Sequence, residues 1–187
     1  MNENDIKATK NHVAKEFISY IELMAIVFAI VILIFSFVFR TCKVSGDSMN
    51  DTLFHDQTVI ISDVLYTPKR NDIIVFHQTG DTYNEPIVKR VIGLPGDTVN
   101  IEYTYDTMKV TVIDKDGNAE VLSEEYIKYD GPRYYSNSST FVEEGTVFAM
   151  GDNRSNSADS RSSAIGLIDT RRILGKVYFR IIPFKVF

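Results

Sequence analysis

Leu23–Phe39 is a run of 17 residues with no charge and one serine, Ser36, and it limits what this chain can fold into more than any other feature. At about 1.5 Å of rise per residue a helix over it is roughly 26 Å long, near the least that spans a bilayer core. Phe17–Ile21 lengthen the span, with Glu22 near its cytoplasmic edge. A core helix of a soluble domain would show an apolar stripe beside a polar face, whereas this run is apolar all round. A cleavable secretory signal would have a shorter apolar stretch followed by a small-residue site. Here Phe39-Arg40-Thr41-Cys42-Lys43 follows, and no small apolar residues precede Cys42 as they would a lipidated cysteine. The expectation is an uncleaved single-pass anchor over residues 17–39 with a short cytoplasmic tail, 1–16. Lys7, Lys10 and Lys15 before the run outnumber Arg40 and Lys43 after it, which sets the N-terminus inside.

Beyond the anchor no second long helical pattern occurs. Short β-branched and aromatic runs predict strands at Thr58–Ser62, Asp72–His77, Ile87–Ile92, Thr98–Tyr103, Met108–Asp114, Thr146–Met150 and Lys176–Ile182. Turn signals separate them: Gly80-Asp81, Pro95-Gly96-Asp97 and Asp116-Gly117-Asn118. Asp116-Gly117 predicts a hairpin between Val110–Ile113 and Glu120–Leu122, and Ser136-Asn137-Ser138-Ser139 reads as a mobile surface loop. The expected fold is mainly β, an antiparallel sheet domain over 44–187 following the one transmembrane helix. A net charge of -5 gives no footprint for nucleic acid. One cysteine, Cys42, rules out an intrachain disulfide.

Two residues carry chemistry. Ser48 stands in Ser45-Gly46-Asp47-Ser48-Met49-Asn50-Asp51-Thr52-Leu53, close enough to the end of the span that even an extended linker reaches only about 30 Å from the bilayer edge. Lys89 lies in Val88-Lys89-Arg90-Val91-Ile92-Gly93-Leu94-Pro95-Gly96-Asp97. Strand alternation puts Ile87, Lys89 and Val91 on one face and Arg90 on the other. Alone, each has an ordinary explanation: a serine bonding its local backbone, a lysine snorkelling from a sheet edge. Together they suggest a nucleophile and a desolvated amine able to take its proton.

These blocks, with Asn71–Phe76 and Gly151-Asp152-Asn153-Arg154-Ser155-Asn156-Ser157-Ala158-Asp159-Ser160-Arg161, resemble the type I signal peptidases, in the short single-span form of Gram-positive bacteria. The resemblance implies a membrane-bound serine endopeptidase that removes signal peptides from exported preproteins, cutting after small residues. Ser48 would be the nucleophile and Lys89 the general base; Ser157 would orient Lys89, and Asp159 with Arg161 would form a supporting ion pair. Met49, Arg90, Gly151, Asp152, Asn153 and Arg154 would build the site. The implied fold has a second β region inserted at about 100–144. Implied partners are membrane-tethered preproteins, the lipid bilayer and a nearby secretion translocon. The site would need no cofactor and no metal, and would lie outside the bacterial cell membrane.

Two departures from the family pattern stand out. Asp51 replaces the usual proline before Thr52, which loosens the turn beside the nucleophile. Gly46 replaces a hydroxyl that some members use as an oxyanion donor. A non-catalytic homologue, a membrane-anchored assembly factor for pilus or surface proteins, remains the alternative. So does a Ser/His/Asp triad based on His55 or His77; a self-cleaving repressor would carry a DNA-binding segment in place of the span. Phe54 and the aromatic-rich end, Phe179–Phe187, are candidates for meeting the bilayer.

Overall fold

The computed structural model describes residues 3–78, 85–104, 107–124, 126–127 and 136–187. They divide into two units, Met1–Phe39 and Arg40–Phe187. The first is one helix, α1, over Glu3–Val38. It begins well before the apolar run because the Glu-, Lys- and Ala-containing residues ahead of it are good helix formers that extend an existing helix cheaply. Lys15–Val38 is the part long and apolar enough to cross a membrane. Its large apolar side chains from Phe17 to Phe37 are exposed on every side, from 43% at Val31 to 76% at Phe37, so this stretch offers no face that water would favour.

The second unit holds strands β1 (Arg40–Lys43), β2 (Thr58–Ser62), β3 (Ile73–Phe76), β4 (Ile87–Gly93), β5 (Thr98–Tyr103), β6 (Met108–Ile113), β7 (Ala119–Val121), β8 (Ser138–Phe141), β9 (Thr146–Met150), β10 (Ile168–Asp169), β11 (Ile173–Arg180) and β12 (Lys185–Val186). The larger sheet runs β1-β2-β11-β3-β4-β9-β10, with β12 beside β11, and the smaller runs β7-β6-β5-β8. Their pairings are antiparallel. The expected class, mainly β with one apolar N-terminal helix and a second β region, is the one found.

Every predicted strand has its counterpart, three of them to the residue. The exception to the loop expectations is Ser136–Ser139: Ser138 and Ser139 open β8, pairing with Ile101 and Asn100 of β5. They are polar because β8 is an exposed sheet edge, where ladder bonds matter more than burial. Asp116-Gly117 turns the β6–β7 hairpin, with Gly117 at φ 86° and Asp114 Oδ1 accepting from the N–H groups of Asp116 and Asn118. Gly80-Asp81 lies outside the described residues.

Both faces of the larger sheet are covered. Alternate residues of β3 divide accordingly: Ile73 and Val75 join a cluster with Met49, Leu53, Val59 and Val88, while Ile74 and Phe76 join one with Val91, Val147 and Ile168. A third cluster joins Ile92, Phe148 and Met150 to Val99, Ile101 and Val110, tying the smaller sheet to β4 and β9. Ile87 packs on the Val91 cluster and Val88 on the Met49 cluster, the alternation expected around Lys89.

Candidate active site

The loop after β1 carries Ser48. Met49 and Leu53 are fully buried, and the N–H groups of Thr52 and Leu53 donate to the Met49 carbonyl at 2.8 and 2.9 Å, so a tight turn pinned in the core holds the serine half-exposed above it. Gly46 has φ 82°, a backbone that suits glycine, and its N–H donates to His55 Nδ1 at 3.0 Å. That bond uses the His55 lone pair, and the ring is 60% exposed beside Asp56. His77 is exposed just past the end of β3.

Lys89 sits in β4 opposite Ile74 of β3 and is 3% exposed. Its Nζ donates to Ser48 Oγ at 2.7 Å and to the Val88 carbonyl at 2.9 Å. Burial pulls its pKa down to about 8, against the attraction of Asp159 and Asp152, which favour the ammonium, and with some help from Arg161. A buried amine is therefore substantially neutral near pH 8, and when neutral it can accept the proton that the same contact now donates.

The segment after β9 fixes both groups. The Asn153 N–H donates to the Ser48 carbonyl at 3.0 Å, and Asn153 Nδ2 donates to the Asp47 carbonyl at 3.1 Å. A Cβ on Gly151 would lie 2.2 Å from Ser157 Oγ and 2.4 Å from the Ser48 carbonyl oxygen, so only glycine allows this approach. The Gly151 N–H donates to Asp159 Oδ2 at 3.0 Å, and Asp159 binds Arg161 through two 2.8 Å bonds. Burial alone would raise the Asp159 pKa; the bonds and charge of Arg161, the Gly151 N–H and the Ser157 hydroxyl together hold it below the usual range. Ser157 thus meets Lys89's surroundings through Asp159, whose charge acts on the amine.

Arg90 is buried on the opposite face and forks onto Asp152 at 2.9 and 2.6 Å. Arg154 is fully buried. Its Nε donates to the Gly151 carbonyl at 3.0 Å, its Nη1 donates to Glu124 Oε2 at 2.6 Å, and its Nη2 also pairs with Glu124. Tyr126 donates to Glu124 at 2.8 Å and lies under the Arg90 guanidinium, 4.0 Å from ring centre to Cζ. Glu124 and Tyr126 are absent from the sequence reading. Their only signal was that a buried arginine demands a carboxylate, and nothing in the local spacing says which one, 30 residues away, supplies it. Glu124→Ala should cost about 3–5 kcal/mol, since it strands the Arg154 charge in a dry interior; a denaturant midpoint unchanged from wild type would refute that.

A cleft of about 450 Å³ opens over the pair, lined by Gly46, Ser48, Val88, Lys89, Asn156 and Ala158 among others. Among the described residues no group of three or more His, Cys, Asp or Glu could hold a metal ion. The family described as signal peptidase, peptidase S26, matches residues 17–182.

The chain belongs to this signal peptidase family.

The match runs from within the apolar helix to just past the end of β11. Among signal peptidase relatives, signal peptidase IB of Staphylococcus aureus (strain COL) is 32% identical over 92% of this chain and 93% of its own length. Signal peptidase I of Bacillus licheniformis is 36% identical over 86% and 87%. A solved signal peptidase I from Enterococcus faecalis V583 is 30% identical and aligns with 59% of this chain and 97% of its own, at a TM-score of 0.44. Membership of the S26 peptidases makes the chain a serine endopeptidase.

Proposed function

We propose that this chain is a membrane-bound endopeptidase that removes N-terminal signal peptides from exported preproteins, with Ser48 as nucleophile and Lys89 as general base. The observation that carries the reading is the 2.7 Å contact between Lys89 Nζ and Ser48 Oγ at a lysine that is 3% exposed. Neutral Lys89 takes the Ser48 proton as Oγ bonds to the scissile carbonyl carbon. It returns that proton to the amine as the C–N bond breaks, leaving an ester on Ser48. A water then gives its proton to Lys89, attacks the ester, and Ser48 leaves with the proton restored.

The Ser48 N–H, which has no acceptor among the described residues, would meet the developing oxyanion. Gly46, Val88 and Ala158 in the cleft lining suit a small side chain just before the cut. In this reading residues 1–16 are cytoplasmic, 17–39 span the membrane and 44–187 form the extracytoplasmic peptidase domain, with 100–144 as its inserted part. The exposed apolar side chains of α1 from Phe17 to Phe37 support the anchor, and the β7-β6-β5-β8 sheet supports the insertion.

The test is cleavage of a preprotein with an Ala-x-Ala site by the full-length protein in detergent, with the new N-terminus read by mass spectrometry. Wild type should cut after the second alanine, and Ser48→Ala and Lys89→Ala should not. Activity surviving in Lys89→Ala would end the dyad reading, and a folded wild type that cuts no preprotein would end the peptidase reading. The pH profile follows from the lysine. kcat/KM should climb with an apparent pKa of about 8 and level off above it, because only the neutral amine can accept the proton; at pH 7 roughly a tenth is neutral. A limb centred near 6.5, where an ordinary histidine titrates, would transfer the role to a histidine.

A further inference from the structure

We propose that Glu124 and Tyr126, on the chain that leaves the β6–β7 hairpin, are positioning residues for the nucleophile. They hold the segment Gly151–Arg154, and that segment holds the Ser48 backbone. The proposal rests on the reading of Ser48 as the nucleophile.

The Arg154 guanidinium is gripped on two sides. Its Nη1 and Nη2 both pair with Glu124, and its Nε donates to the Gly151 carbonyl at 3.0 Å. The group is a rigid plane, so the carboxylate that fixes one edge also sets the direction of the third N–H. The Arg154 side chain is 0% exposed and that of Glu124 4%. Without the carboxylate, the buried charge would lose the group that offsets its desolvation, and the guanidinium would turn toward water and away from Gly151. Tyr126 acts one residue further along the segment. Its hydroxyl donates to Glu124 at 2.8 Å, and its ring centre lies 4.0 Å from the Cζ of Arg90, which in turn forks onto Asp152 at 2.9 and 2.6 Å.

Glu124 and Tyr126 thus fix Gly151 and Asp152, and the next residue touches the nucleophile. The Asn153 N–H and side-chain amide donate to the Ser48 and Asp47 carbonyls at 3.0 and 3.1 Å. Gly151 itself lies so close that an added methyl would be 2.4 Å from the Ser48 carbonyl oxygen. A tilt of these peptides therefore moves the serine. Asp159 and Arg161 hold the same segment elsewhere, at the Gly151 N–H and the Arg154 carbonyl, which leaves the Gly151 carbonyl to Arg154 and its carboxylate. Stability alone does not call for this arrangement, since an apolar pair of similar volume usually stabilises an interior at least as well as a buried ion pair. What the charged, hydrogen-bonded pair adds is direction, and here the direction ends at Ser48.

The test separates direction from stability. Full-length wild type, E124M/R154M, Y126L, S48A and the control E102M/K109M would be assayed in detergent on a preprotein with an Ala-x-Ala site, well below the Tm of each. E124M/R154M exchanges the ion pair for an apolar one, so its Tm should stay at or above that of wild type. Its kcat should nevertheless fall by about 10–100-fold with KM within about twofold, as expected of a misplaced reacting group and not of a lost substrate contact. Y126L should fold and lose about tenfold in kcat. E102M/K109M removes an exposed pair on the smaller sheet and should keep the wild-type kcat. A folded E124M/R154M with wild-type kcat would overturn the proposal; should that variant not fold, a folded Y126L with wild-type kcat would do so. A rise in KM alone would overturn it in favour of direct contact with the substrate. S48A cutting as fast as wild type would instead overturn the nucleophile reading, and the positioning role with it.

Discussion

Replacing Lys89 with methionine is expected to abolish cleavage and, at the same time, to make the domain more stable. Loss of the general base should lower kcat/KM by about 10⁴-fold or more. The stability gain has a separate origin, the burial of the amine. The lysine's pKa is about 8 in the fold against an ordinary 10.5, so the folded state binds its proton less readily than the unfolded chain does. Below pH 8 the amine is charged in both states and the fold bears the whole cost, roughly 3 kcal/mol at about 1.4 kcal/mol per pH unit. Between pH 8 and 10.5 the folded amine is already neutral while the unfolded one is still charged, so the cost shrinks as pH rises and is gone above that window. Methionine removes the charge at similar volume but forfeits the bond to the Val88 carbonyl, which leaves a gain of about 2 kcal/mol at pH 7. Tm should rise by about 4–8 °C, and the gap to wild type should close as pH approaches 10.5. A Tm that falls at pH 7, or a gap that ignores pH, would show that the amine is not desolvated.

Gly151→Ala should have the next largest effect. Its new methyl would be placed 2.2 Å from Ser157 Oγ and 2.4 Å from the Ser48 carbonyl oxygen, well inside contact distance. The hydroxyl can rotate away, but the carbonyl belongs to the nucleophile's own backbone and is held by the Asn153 N–H. The loop must therefore shift, and a displacement of about 1 Å at a reacting group costs on the order of 10²-fold in kcat/KM. Overpacking adds about 1–3 kcal/mol of destabilisation. Gly117→Ala is the control. Gly117 has positive φ and nothing within 4 Å of its added methyl, so it should lose some stability and keep full activity. Equal activity losses in the two variants would mean that the Gly151 effect is not local to Ser48.

The two experiments divide the site into what a single strand arranges and what the fold assembles. Lys89 was legible because β-alternation is a local rule: Ile87 and Val91 define an apolar face, and the residue between them shares it. The Gly151–Arg161 segment was legible as a motif. Its internal wiring follows from short range, since the Asp159 carboxylate reaches both the Gly151 N–H and the Arg161 guanidinium within a few residues. Glu124 and Tyr126 were not legible. They come from the chain beyond the β6–β7 hairpin, and a buried ion pair is recognisable only after both partners are in place. β8 was also hidden, because an edge strand with an exposed face needs no apolar alternation.

By itself the sequence determined the apolar span, the positions of most strands and the pair of residues able to do serine chemistry, because hydrophobic period, turn residues and side-chain type act over a few residues of chain. The tertiary structure decided the strand order, with β11 inserted between β2 and β3, and it brought Ser48 within 2.7 Å of Lys89 across 41 positions. It also decided that Arg154 would find Glu124. Those outcomes depend on which surfaces bury one another and on which charges must then be paired, and such pairings between distant segments leave no periodic trace in the sequence.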